Sequence, residues 1–253
     1  LVGLIDVETI NQIVTEVHKV RPDVVFYGEG WDMDGTNKEP GTQMAKQGNA
    51  SKTPGFAYFS DGMRNNLGGN NGNSTGFVSG AGYCEGDVAT NFMAKPWWTS
   101  NPQQVIQYAS CHDNYTLIDK IVKSTGASGI NAGIKKMSNL AAAVYLTAQG
   151  VPFIHAGEEF FREKLEENGD RCENSYNASD FVNHIEWSKL ETADYAANVK
   201  YYQGLIAFRK AHPALRMDNA ADIRSGVKTN TASGYVVAMF IDGYYAEDSD
   251  DIF

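Results

Sequence analysis

The chain has 253 residues, enough for one large α/β domain or two smaller ones. Its composition, 42% hydrophobic and 21% charged, is ordinary for a globular chain, and no stretch approaches the roughly 20 apolar residues that span a bilayer. A formal net charge of −10 repels the phosphates of nucleic acids and anionic membranes, so neither is expected as a partner, while a neutral ligand such as a glycan is unaffected. The three cysteines, Cys84, Cys111 and Cys172, give neither a disulfide framework nor a zinc pattern.

Asp6 is placed to cap a first helix, with Glu8 in its first turn and Val7, Ile10, Ile13, Val14 and Val17 at helical spacing. Pro22 stops that helix. A continuous apolar run, Val24-Val25-Phe26-Tyr27, then predicts a strand buried on both faces, as in a parallel sheet. Residues 62–82, rich in Gly, Asn and Ser, read as a long loop. A strand is predicted over 104–109, followed by a helical stripe of Leu117, Ile118, Ile121 and Val122. A second stripe (Met137, Leu140, Ala141, Val144, Tyr145, Ala148) ends at Gly150 and leads into a short strand over 151–155. Residues 193–211 form a long helix, with Val199, Tyr202, Leu205 and Ile206 facing inward. The helix–strand alternation then stops, and 235–241 reads as a strand opening a β-domain.

Chemistry-bearing residues stand just after the strands, where (β/α)8 barrels keep theirs. Tyr27-Gly28-Glu29-Gly30-Trp31 places a carboxylate between two glycines that let backbone approach a ligand closely. Trp31 beside it can stack on a sugar ring or simply pack. Ser110-Cys111-His112-Asp113-Asn114 ends the 104–109 run. His112 and Asp113 lack a third ligand at metal spacing, and no nucleophile elbow accompanies Ser110. His155-Ala156-Gly157-Glu158-Glu159 follows the third strand, where paired acids could bind a cation or hold a loop. Asn174-Ser175-Tyr176-Asn177 offers hydrogen bonds to hydroxyls or plain turn chemistry. Cleaving a glycosidic bond needs two carboxyl groups across the bond, and Glu29 and Asp113 are two strand-end acids able to share a pocket.

Taken in order, these segments resemble the α-amylase superfamily of glycoside hydrolases, and within it the type I pullulanases. The 27–31 segment resembles the one that carries that family's general acid, and the 110–114 segment the one that carries its transition-state-stabilising Asp. Phe59-Ser60-Asp61-Gly62-Met63-Arg64 resembles the sixth-strand region, and 151–160 the eighth strand and its loop. Asn174-Ser175-Tyr176 and Asn183-His184-Ile185-Glu186-Trp187 are similar to a stretch beyond it, and the resemblance runs over 1–215. Glu158 stands where the family often has Gln.

The resemblance implies an α/β fold, the second half (strands 5–8) of a (β/α)8 barrel over 1–215, followed by the start of a C-terminal β-sandwich domain over 216–253. It implies a retaining hydrolase of α-1,6 branch linkages in pullulan, glycogen or amylopectin. Glu29 and Asp113 would be catalytic, and His112, Trp31, Asn114 and Tyr176 would bind the α-glucan. Glu29 must carry a proton at the outset. Leu1-Val2-Gly3 matches only the last positions of the family's nucleophile segment, which puts the nucleophilic Asp immediately before Leu1. The chain alone is then expected to be inactive, and to pair with the missing N-terminal half or with itself. No organic cofactor is implied, and no metal-ligand set is legible, although a structural calcium remains open. Two other readings stay in play: a relative with another linkage preference (isoamylase, neopullulanase, α-amylase), or a noncatalytic glycan-binding fragment. Nothing in the sequence assigns a compartment.

Overall fold

The computed structural model describes residues 1–33, 39–70, 72–232 and 235–253. Helix α1 (Val7–His18) starts where Asp6 accepts a hydrogen bond from the Thr9 amide at 2.8 Å, and it buries Ile10 and Val14. The first run yields a strand shorter than the apolar stretch, β1 (Phe26–Gly28). Strand β2 (Phe56–Phe59) leads directly into α2 (Asp61–Gly68), and α3 (Glu85–Phe92) follows. Strand β3 (Val105–Gln107) precedes α4 (Leu117–Thr125) and α5 (Ala132–Thr147), and β4 is Val151–Pro152. The remainder comprises α6 (Asp180–Asn183), α7 (Ala193–Ala211), α8 (Ala220–Gly226) and a hairpin of β5 (Val227–Ala232) and β6 (Val236–Ile241).

The fold is mixed α/β. Among the described residues, one sheet has four parallel strands in the order β1-β2-β3-β4, and the antiparallel β5-β6 hairpin forms the other. Register runs Tyr27↔Ala57, Tyr58↔Val105 and Ile106↔Val151. Every crossover passes through helix or long loop, so all four strands end at the same edge of the sheet. Among the described residues, strands β1 and β4 each pair on one side only, and Pro152 in β4 has no amide proton to offer.

Among the described residues the interior has two apolar clusters. The smaller joins Ile10 and Val14 of α1 to Phe56, Tyr58, Trp98 and Val105. The larger gathers α2–α5 and α7, with Met63, Leu67, Val88, Ile121 and Tyr145, and it continues into Ile223, Val227 and Ile241. The four residues of the α4 stripe are all buried there.

The 62–82 segment is not a plain loop: α2 covers its start and a 3-10 turn spans Phe77–Ser79, while Asn71 lies outside the described residues. Met63 and Leu67, four apart and both fully buried, drive that helix. Strand β5 was also unanticipated; its Lys228, Thr229, Asn230 and Thr231 carry little apolar signal, and pairing with β6 defines it. The three cysteines are free thiols.

Candidate active site

Because the four strands run in parallel, whatever follows each of them is delivered to one edge. Glu29 and Trp31 follow β1; Asp61 and Arg64 follow β2; Tyr108, Cys111, His112, Asp113 and Asn114 follow β3; Phe153 follows β4. Together with Phe59 these residues line one cavity of about 290 Å³. Phe59, Tyr108 and Phe153 form its apolar wall, with Phe59 5.1 Å from both of the others, while Tyr27, outside the lining, packs on Phe59 at 5.8 Å. Arg64 sits over Tyr108, 5.7 Å from the ring centroid.

Within the cavity, one side-chain ligand atom each from Glu29, His112 and Asp113 lie within 4.8 Å of one another. His112 Nε2 is 3.5 Å from Asp113 Oδ1. The sequence offers His112 and Asp113 no third ligand nearby, yet the fold supplies Glu29 from a different strand, so these three are a group that could hold a cation. His212, Asp248 and Asp250 form another such group near the C-terminal end. Cys111 reaches the cavity, but burial pushes its thiol up, which makes it a poor nucleophile. A larger cleft of about 890 Å³, lined mainly by residues 93–102 ahead of β3, has no carboxylate among its lining residues and cannot do acid–base chemistry with one.

Glu29 is held by the first residues of the chain through both its backbone and its side chain. The Gly3 amide donates to Glu29 O at 3.1 Å, and the Leu1 nitrogen lies 3.5 Å from Glu29 Oε2. Gly30 is needed for packing, not for close approach of a ligand: a Cβ there would sit 2.2 Å from Cδ1 of Tyr58. Tyr58 cannot retreat, since it is fully buried, hydrogen-bonded to Thr53 Oγ1 at 2.6 Å and wedged against Trp98. Gly30→Ala should therefore destabilise the protein by about 1–3 kcal/mol. A thermal melt should show this as a drop of roughly 2–12 °C; an unchanged melting temperature would contradict the packing account.

The 110–114 turn is held from beneath. Lys164, itself buried, donates from Nζ to His112 O at 3.3 Å and to Ser175 Oγ at 2.7 Å. Ser110 donates to Glu158 at 2.6 Å. Asn114 takes a left-handed backbone conformation, φ +60°, which closes the turn. Glu29, Asp113, His112, Asn114 and Trp31 thus share the cavity. Tyr176 does not: it is 77% exposed and outside the lining, although its neighbour Ser175 is buried on Lys164. His155 is also outside; burial pushes its pKa down to about 3, leaving it neutral. Sequence reasoning gave no role to Asp61, Arg64 or Phe153, whose signal was their position directly after β2 and β4.

In overall shape the chain superposes on a crystal structure of pullulanase from Paenibacillus barengoltzii, in complex with maltohexaose and α-cyclodextrin, with a TM-score of 0.88. The two sequences are 36% identical, and the match covers 99% of this chain and 38% of that one. Over nearly its whole length the chain is similar to pullulanases. It is 35% identical over 246 residues to the pullulanase of Bacillus subtilis (94% of this chain, 33% of the relative). It is 31% identical over 275 residues to pullulanase A of Streptococcus pneumoniae (92% and 21%). The pullulanase-like chain therefore spans about a third or less of the length of these relatives. No family profile matches it.

Proposed function

We propose that the chain carries the acid and stabiliser side of the active site of a retaining glycoside hydrolase acting on α-1,6 branch linkages in pullulan, glycogen or amylopectin. The observation that carries this reading is the convergence of Glu29, His112 and Asp113 within 4.8 Å at the common edge of four parallel strands. In this reading Glu29 protonates the leaving oxygen and then takes the proton of the incoming water. Asp113 and His112 hold sugar hydroxyls through hydrogen bonds that tighten as positive charge grows on the ring, Asn114 adds a further amide, and Trp31 offers a stacking face. No organic cofactor is required by this chemistry.

The same reading makes the sheet strands five to eight of a (β/α)8 barrel, with residues 216–253 opening a C-terminal β-domain. A retaining mechanism needs a nucleophilic carboxylate about 5–5.5 Å from the acid. We assign the open edges of β1 and β4, each paired on one side among the described residues, to association with a second copy or another chain. The test is reducing-sugar release from pullulan and from linear amylose. A chain extended to the length of its relatives should prefer pullulan. Preference for amylose would overturn the linkage.

A further inference from the structure

Glu158 begins the 3-10 turn Glu158–Phe160 beyond β4 and is only 5% exposed. Among the described residues no Lys, Arg or His forms an ion pair with it. Its oxygens instead accept from three hydroxyls on three elements. Ser110 Oγ, beyond β3, donates to Oε2 at 2.6 Å; Tyr145 of α5 and Tyr202 of α7 donate to Oε1 at 2.7 and 3.0 Å. A buried carboxylate without a counter-charge is expensive, and here its donors join two helices to the residue that opens the 110–114 turn. Asp113 stands between that anchored Ser110 and the left-handed Asn114, so the place of its carboxylate depends on the anchor.

We propose that Glu158 is a positioning residue for Asp113, fixing the 110–114 turn through Ser110. The inference rests on the functional reading of Asp113 given above. Burial pushes the Glu158 pKa up to about 7, against the pull of the Ser110, Tyr145 and Tyr202 hydrogen bonds and with a smaller push from the Glu159 charge. Those four are the groups that face it, and both tyrosines, raised well above their ordinary value by burial, remain neutral donors. Because the Ser110 bond favours the carboxylate, the carboxylate favours the Ser110 bond. Protonation turns a charge-assisted bond into a neutral one, roughly half as strong. The turn therefore loosens as pH falls through about 7. The global effect has the opposite sign. A carboxyl whose folded pKa is raised from 4.5 to about 7 favours the folded state most below its unfolded pKa, and that contribution is lost as pH rises through about 7.

The experiment is amide hydrogen exchange on residues 1–253, read on a peptide spanning 108–115 on either side of about pH 7 and corrected for intrinsic exchange. In the unsubstituted protein, protection of this peptide should rise about five- to tenfold from the acidic to the alkaline side, while a peptide from α1 stays level. In Glu158→Gln, which keeps the shape and cannot titrate, the step should vanish. Ser110→Ala removes the same bond and should also abolish the step, which keeps the test alive if the Gln variant does not fold. A step that persists in either folded variant, or none in the unsubstituted protein, overturns the proposal. Maltotriose binding is measured separately: failure of the unsubstituted chain to bind counts against the functional reading, while the exchange result still decides the role of Glu158.

Discussion

Glu29→Gln, in a chain extended to the length of its pullulanase relatives, should lower turnover of an α-1,6-linked glucan by about 10²–10⁴-fold. The substitution keeps the shape of the side chain and its place in the cavity beside His112 and Asp113, so ground-state binding should change little. What is lost is the proton needed by a sugar alkoxide, a poor leaving group. A glucosyl donor with a good leaving group, such as a fluoride, does not need that proton, and its turnover should be largely preserved at the first step. The diagnostic result is that contrast between the two substrates. An equal loss on both would show that the substitution had damaged the cavity, and near-normal turnover of the glucan would remove Glu29 from the acid role.

How much of this was legible beforehand follows from the kind of signal each part carries. The parallel strands showed themselves as apolar runs, because a strand covered on both faces needs no polar alternation. Their lengths did not: Val24 and Val25 precede β1, and β4 is two residues long, since pairing and not hydrophobicity sets where a strand ends. The α4 stripe was readable because Leu117, Ile118, Ile121 and Val122 lie on one face, and Thr116 caps the helix on the Asp119 amide. Helix α2 was hidden by the glycines and asparagines around Met63 and Leu67, although those two residues kept helical spacing. At the site, acids directly after apolar runs could be picked out by eye. Proximity across the sheet was readable only where two acids each end a strand, as Glu29 and Asp113 do; the Lys164 bond to His112 O, 52 residues apart, left no such mark. Tyr176 shows the converse. Its motif is packed through Ser175 and Asn183, joined at 2.8 Å, while the ring itself projects outward.

Arg209→Met should produce the largest loss of stability. Arg209 lies near the end of α7, buried, and no carboxylate pairs with it among the described residues. Its guanidinium instead donates to three backbone carbonyls, those of Leu146 at 3.2 Å, Ala148 at 2.6 Å and Gly150 at 2.6 Å. These lie at the C-terminal end of α5 and in the turn into β4, where helical carbonyls have no amide partner and the helix dipole is negative. Gly150 holds φ +91° there, and a Cβ would come within 2.8 Å of Val105 O, so the turn has no freedom to refold around a lost donor. Burial, aided by the Arg216 charge, pushes Arg209 down to about 10, which leaves it cationic at neutral pH. Methionine fills much the same space but strands all three carbonyls, each worth about 1–3 kcal/mol when left unpaired. Relief from burying the charge offsets part of this, and the expected net loss is about 3–5 kcal/mol. For a chain of this size that lowers the melting temperature by roughly 6–20 °C. Arg209→Lys, which keeps the charge but loses the planar fork, should fall between the two. Because the turn feeds β4, and Phe153 just after β4 walls the cavity, the Met variant should also weaken glucan binding at the site proposed above, at temperatures where it is still folded. A melting temperature within about 3 °C of the unsubstituted protein would show that water, or a shift of α7, can satisfy those carbonyls, and that Arg209 does not fasten α5 to the sheet.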